Sequence, residues 1–293
     1  MIGQATKQQG ATPAAAVGSA HRRRRSGGWG ERSVTAVAVL CALFLGVPVL
    51  TLVLRALLSG SLAVAISSPA VSDALILSAL TTSISLALSV VLGLPLAFVL
   101  ARREFRGKGV IEAVVDLPIV LPPSVAGLAL LLVYGRRGLL SAPFEILGIS
   151  VPFTTIAVIL AMTFVSAPFF IRSARIGIAG VERDLEDAAR VDGASEGQLF
   201  RAITIPIASA AFAGGLVMTW ARSLGEFGAT IMFAGNIQGR TQTLPLVVYS
   251  EFNSGDLDAS IAAAAILVLA AFGVLIAVRV LHWGRVLDDR SLG

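Results

Sequence analysis

The chain has 293 residues, of which 56% are hydrophobic and only 14% charged, with a mean hydropathy of +0.85 and a formal net charge of +5. Soluble domains carry roughly 25% charged residues, so this depletion points to lipid as the solvent and excludes an ordinary water-soluble enzyme. The lone Cys41 can form no intrachain disulfide and reads as a small packing residue, and His21 and His282 stand isolated near the two ends, so no metal constellation is expected.

A spanning helix needs about 20 consecutive apolar residues. Charge-free windows of that order occur six times, at Val34–Leu54, Ala74–Ala101, Leu117–Gly135, Ile146–Ile171, Ala202–Ala221 and Ala259–Val278. Together they use most of the chain and leave no room for a separate soluble catalytic domain. The expected fold class is all-α, a polytopic integral membrane protein. Its six transmembrane helices are placed at about 34–58, 73–101, 117–135, 151–176, 202–234 and 258–281, within a domain over 34–284.

The first 33 residues are rich in Ala, Gly, Gln and Thr and end in the basic run "HRRRRSGGWGERS", which reads as a disordered basic tail. Signal-peptide apolar regions run about 7–15 residues. The first apolar run here is 21 residues long and continues past Pro48, so it is expected to be a retained helix. With alternating loops, sixteen Lys and Arg fall on the side of the N-tail, the 102–116 loop, the 181–201 loop and the C-terminal region from Arg279 onward. Only Arg136, Arg137 and Arg240 fall on the other side. This asymmetry predicts that both termini are cytoplasmic. The positive charge then faces anionic lipid, and no nucleic-acid partner is implied.

The second span, "LSALTTSISLALSVVLGLPLAF", is built from small and hydroxylated residues suited to close helix packing in lipid, with Gly93 and Pro95 placed to kink it. The third opens with Pro118, Pro122 and Pro123. Prolines remove helix donors, so this start is expected to be broken or extended, either as a ragged helix beginning or as backbone lining a pathway. The fifth span runs on through "RSLGEFGATIMFAGN", which buries Arg222 and Glu226 in apolar sequence. Four residues apart on a helix they share a face and can pair, as a structural ion pair or as one wall of a polar pathway.

The loop "VERDLEDAARVDGASEGQLF", residues 181–200, is the most patterned polar segment. Val181, Leu185, Ala188 and Val191 form one helical stripe, Gly193 sits where a left-handed cap would end the helix, and Ser195 with Gln198 forms a capping-box start. A short amphipathic helix, a glycine break and a second helix follow from this. The acidic cluster disfavours anionic lipid, so the first helix is expected to dock into another protein's groove.

The same residues carry a family resemblance. Asp187-Ala188-Ala189, three residues, Gly193, nine residues, then Ile203-Thr204-Ile205-Pro206 resembles the motif of ATP-binding-cassette (ABC) importer permeases, in which Glu-Ala-Ala and Leu-Pro stand at the matching positions. Asp187 departs from the usual Glu, although Glu186 adjoins it, and Ile205 departs from Leu. "PIVLPPSVAGLALLLVYGRRGLL" and "GEFGAT…GN…GRTQTLPL" are similar to the molybdate-importer branch, close to sulfate and tungstate permeases. The resemblance implies the type I ABC importer permease fold, with the 181–201 loop as the coupling helix. Glu186, Asp187, Ala188, Ala189, Asp192, Gly193, Ile203 and Pro206 would then be the ATPase-coupling residues. It further implies a second copy of the chain, a cytoplasmic ABC ATPase dimer and an extracytoplasmic oxyanion-binding protein as partners, in a bacterial plasma membrane, with Arg240 on the outer loop facing the binding protein.

A P-loop needs G-x-x-x-x-G-K-[ST], and the only lysines, Lys7 and Lys108, lie in no such pattern. No cofactor is therefore expected in this chain, and ATP and Mg would be bound by the partner ATPase. For a tetrahedral oxyanion, which offers only acceptors, the candidate pathway donors are Ser124, Thr163, Ser166, Thr219, Ser223 and Thr230, alongside Arg222 and Glu226. Each hydroxyl could equally bond its own backbone or a neighbouring helix. An ion-coupled secondary transporter would want inverted repeats and acidic relays. No convincing repeat is visible, and Glu226 is the only acid deep within a span.

Overall fold

A computed structural model of the chain describes residues 29–289, with side chains over 32–276. The expected tail through residue 28, with Lys7, His21 and Arg22 to Arg25, lies outside the described residues, as do Arg290 and the side chains of Arg279, His282 and Arg285. The described residues contain helices and no strand. Contacts divide the chain into one unit ending at Val47 and a second beginning at Pro48.

The helices, in chain order, are α1 Trp29–Leu58, α2 Ser61–Ser67, α3 Pro69–Arg102, α4 Lys108–Val120, α5 Pro123–Tyr134, α6 Ser141–Ile146, α7 Thr155–Ala179, α8 Arg183–Val191 and α9 Glu196–Leu199. A π-helical turn at Phe200–Thr204 leads into α10 Ile205–Leu224, followed by α11 Gly228–Phe233, α12 Leu244–Ser254 and α13 Leu257–Asp289. Five stretches are long and apolar enough to cross a membrane, and a sixth crossing exists if the bent pair α4–α5 counts as one. The first helix begins at Trp29, so residues 29–33, expected in the tail, are helical.

Three departures from the expected spans have local causes. The third window is not one helix. Leu121 and Pro122 are extended, and α4 and α5 meet at 118°. Pro123 cannot donate to a preceding turn and disfavours helix at Pro122, so a helix assigned by charge to the 102–116 loop ends there instead. The fifth window also breaks, because α10 stops at Leu224 and α11 starts only at Gly228. Before α10 the chain widens into a π turn, where Ile205 N–H bonds to Phe200 O. Pro206 has no N–H to give and its ring crowds the carbonyl four residues back.

The centre of the second unit is α7, packed along α3 on one side and α10 on the other. Small residues set the spacing. On α3 the buried stripe Ala74, Ser78, Thr82, Ser85, Ser89, Gly93 and Ala97 recurs nearly every fourth position. A Cβ on Gly93 would lie 2.8 Å from Ile171 Cγ1, and one on Gly177 would lie 2.6 Å from Ala211 Cβ. Small residues allow the backbone approach on which helix association in lipid depends. The broken elements α5 and α11 also meet closely, since a Cβ on Gly127 would lie 2.6 Å from Ala229 O. Around them Ala126, Leu130, Val158, Met162, Val165 and Phe233 form one buried cluster.

Candidate functional site

The 181–201 loop is built from its own sequence. Glu182 is extended, and α8 then carries Asp184 and Glu186 in its first turn and Arg190 in its last, the arrangement the helix dipole favours. Gly193 has φ +87°, where an L side chain is strained. Gly193 N–H bonds to Arg190 O at 3.0 Å and Ala194 N–H to Ala189 O at 2.9 Å, the two bonds of a Schellman cap. The next helix starts with a capping box. Ser195 Oγ accepts from Gln198 N–H at 3.4 Å, and Gln198 Oε1 accepts from Ser195 N–H at 2.9 Å.

Arg190 straddles the glycine break, donating to Asp187 Oδ1 at 2.7 Å and to Glu196 Oε1 at 2.9 Å. The bond to Glu196, and after it the one to Asp187, raises the Arg190 pKa above its ordinary value. The hydrogen bond from Arg190 holds the Glu196 carboxyl below the usual carboxylate range. Asp187, Arg190 and Glu196 are therefore paired at the loop's own surface, and three of the four stripe residues are left outward: Leu185 and Ala188 are exposed, and Val191 is 88% exposed.

Glu186, one of the expected coupling residues, does not lie on the exposed face of α8. It is 4% exposed and turned inward, where it pairs with Arg102 at the end of α3 and accepts from Thr204 Oγ1 at 3.4 Å. Arg102 also donates Nη1 to Val181 O at 3.3 Å. The inward stripe position Val181 carries the helix against the bundle, and Glu186 falls on the same side with a cation waiting there. Asp187, Ala188, Asp192 and Gly193 are exposed, Ala189 and Ile203 half-buried, and Pro206 exposed at the start of α10. A cleft of about 950 Å³ opens beside this contact between the loop and the end of α3, with Arg102, Glu186, Leu94, Phe98, Arg103 and Phe200 among its walls.

The second candidate site lies inside the helix trio. Thr163 Oγ1 donates to Ser85 Oγ at 3.1 Å, Ser85 and Ser223 hydroxyls are 3.3 Å apart, and Ser223 Oγ donates to Ser166 Oγ at 2.8 Å. Thr219 Oγ1 reaches Ser166 O at 3.4 Å, while Thr163 and Ser166 also bond back to Ile159 O and Met162 O at 2.7 Å each. Four of the expected pathway hydroxyls thus converge, but Ser166, Thr219 and Ser223 are fully buried and occupied by neighbouring helices. In this chain they tie α3, α7 and α10 together and open onto no surface; an unpaired hydroxyl in hydrocarbon costs more than a shared one. Ser85, which composition alone did not distinguish from its serine neighbours, is the hub.

Arg222 and Glu226 pair at 2.7 Å, as expected from their spacing, but not on one helix. With α10 ending at Gly225, Glu226 also caps α11, accepting from Ala229 N–H at 2.8 Å. Glu226 is 1% exposed, whereas the Arg222 side chain is 31% exposed. Ser124 is exposed at the start of α5, beside the α11 start, because a Cβ on Gly228 would lie 3.2 Å from Ser124 N. Thr230 is buried with no bond to its hydroxyl among the described residues. Ser124 and Arg222 are therefore the polar pathway candidates that reach a surface at the two broken helices.

Residues 89–283 match the family model described as binding-protein-dependent transport system inner membrane component. The chain is 42% identical over 213 residues to the molybdenum transport system permease protein of Mycobacterium tuberculosis, covering 73% of this chain and 80% of that one. It is 39% identical to the molybdenum transport system permease protein of Escherichia coli K12, over 61% of this chain and 78% of the relative. A probable sulfate transport system permease protein of Chlorella vulgaris is 37% identical over 64% of this chain and 70% of its own length. Among solved structures, a chain of a bacterial ABC transporter that imports alginate superposes with TM-score 0.70 at 16% identity, over 88% of this chain and 95% of that one. An inward-facing methionine ABC transporter chain superposes with TM-score 0.54 at 18% identity, over 72% and 92%.

Proposed function

The chain belongs to the family of binding-protein-dependent transport system inner membrane components, and from that premise we propose that it carries molybdate into the cytoplasm, driven by ATP hydrolysis on a partner subunit. It is a multi-pass membrane permease subunit of an ABC importer. The observation that carries the choice of molybdate is the 42% identity to a permease named for molybdenum transport over 73% of the chain. The sulfate-named relative at 37% identity supports sulfate as the second reading.

The division of labour follows from the residues. No P-loop stands in the sequence, so hydrolysis falls to another chain. The exposed face of α8, with Leu185, Ala188 and Val191 between charges, supports a helix-in-groove contact with that ATPase. One such loop engages one ATPase subunit, so two copies of the chain would enclose one pathway in the bacterial plasma membrane. The excess of Lys and Arg on one set of loops supports cytoplasmic termini and a cytoplasmic α8. An extracytoplasmic binding protein would deliver the anion on the face that bears Arg240. Rigid-body movement of the helices would then alternate access to the pathway.

The test is elemental analysis of cells lacking this chain, grown with molybdate or sulfate limiting. Cellular molybdenum is expected to fall with sulfur unchanged. Unchanged molybdenum beside lowered sulfur would overturn the choice of substrate.

A further inference from the structure

We propose that the part-buried Arg102–Glu186 pair is the strut through which displacement of α8 reaches the membrane helices, with Arg102 as its positioning residue. The proposal rests on the reading of α8 as the ATPase contact, and it concerns what lies behind that contact. The chain leaves the helix on both sides of α8. Gly180 and the extended Glu182 precede it, and Gly193 in its left-handed conformation follows. On the α9 side Arg190 bridges the break, but toward α3 movement imposed on α8 needs another bond to carry it.

Among the described residues, every side-chain bond from α8 to α3 passes through Glu186. Arg102 grips with two nitrogens, Nη2 on Glu186 and Nη1 on Val181 O, which fixes direction as well as separation. Thr204 Oγ1 adds a third element to the same carboxylate, so Glu186 also touches the π turn that leads into α10. The side chains of the pair are 11% and 5% exposed on the wall of the cleft, so the pair is shielded from water far more than a surface ion pair.

The load then enters a long lever. Arg102 is the last residue of the 34-residue α3, and its other end reaches a different part of the fold. There Ser78 Oγ accepts from Leu244 N–H at 2.9 Å, capping α12. Between the two ends, Ser85 holds the hydroxyl cluster of α7 and α10. A shift at the loop is thereby delivered to the packing of the whole trio and to α12. Arg103, next in sequence, is exposed and has no ion-pair partner among the described residues, which makes it the matched control.

The experiment uses the complete complex of chain, ATPase and binding protein in lipid vesicles, reading oxyanion uptake per ATP hydrolysed. Arg102→Met is expected to retain ATPase binding and hydrolysis while uptake per ATP falls by about tenfold. Arg103→Met should stay within about twofold of the native chain. Arg102→Lys, which keeps the charge and loses the two-point grip, should fall between them. A native ratio in Arg102→Met would overturn the strut.

A second measurement does not depend on that variant folding. With Cys41 replaced by Ser and spin labels at positions 103 and 184, the interlabel distance should be the same in the nucleotide-free and ATP-bound complexes. A distance that changes with nucleotide would overturn the strut even if Arg102→Met fails to fold. Failure of the native chain to bind the ATPase would instead sink the reading of α8 itself.

Discussion

Glu226 serves two masters, the Arg222 guanidinium and the Ala229 N–H that opens α11. It is 1% exposed, so removing it leaves a backbone donor and a part-exposed cation without their partner. Glu226→Ala should lower stability by about 3 kcal/mol, measured as a shift in unfolding in detergent. Glu226→Gln keeps an acceptor for Ala229 and should cost less. Ser124→Ala removes no bond that holds the fold and should leave unfolding unchanged, because Ser124 is exposed and its hydroxyl has no partner among the described residues. The comparison separates groups that build the interior from those that can meet a passing anion. Arg222 belongs to both sets, since its partner is buried and its own side chain is 31% exposed.

The α8–Gly193–α9 element is a helix, a left-handed residue and a second helix, clamped across the break by Arg190. A side chain at Gly193 would meet nothing within 4 Å, so any substitution acts through φ +87° alone. Forcing a β-branched residue into that region costs roughly 1–2 kcal/mol, whereas Asn visits it readily. Gly193→Val should therefore insert normally yet lose uptake per ATP, and Gly193→Asn should retain most of it. Equal behaviour of the two variants would show that the break has no bearing on coupling. The same logic explains the other broken elements. Pro122 and Pro123 bend α4–α5 through 118°, and Gly225 to Gly228 divide α10 from α11, so the two interruptions pack backbone to backbone at Gly127, Ala229 and Gly228.

Across the whole molecule, much of this was legible in local sequence and some was not, for physical reasons. Apolar length marked the crossings, and Gly193, Ser195 and Gln198 marked the loop, because a cap is written within a few residues of the helix it ends. The third charge-free window does not coincide with one helix. Glu112 and Asp116, which look like loop charges, sit on α4 facing Arg175 and Arg172 on α7 at 2.5 and 3.7 Å. Ion pairing let a charged segment be helical where a window count required a loop. The burial of Glu186 depends on Arg102, a residue 84 positions away, and no local pattern distinguishes it from exposed Asp187. The hydroxyls of Ser166, Thr219 and Ser223 look alike in sequence as pathway donors and as packing bonds, and their burial in bonds between helices comes from the approach of α3 to α7 and α10.

The central claim is that this chain moves molybdate only when a separate ATPase docks on α8. Vesicles holding the chain, its ATPase and the loaded binding protein, supplied with ATP inside or outside in turn, test it most directly. The account predicts ATP-dependent molybdate accumulation that needs ATP on the α8 side and disappears when the ATPase is omitted. Molybdate accumulation without the ATPase, or ATP-driven uptake of sulfate with none of molybdate, would contradict it.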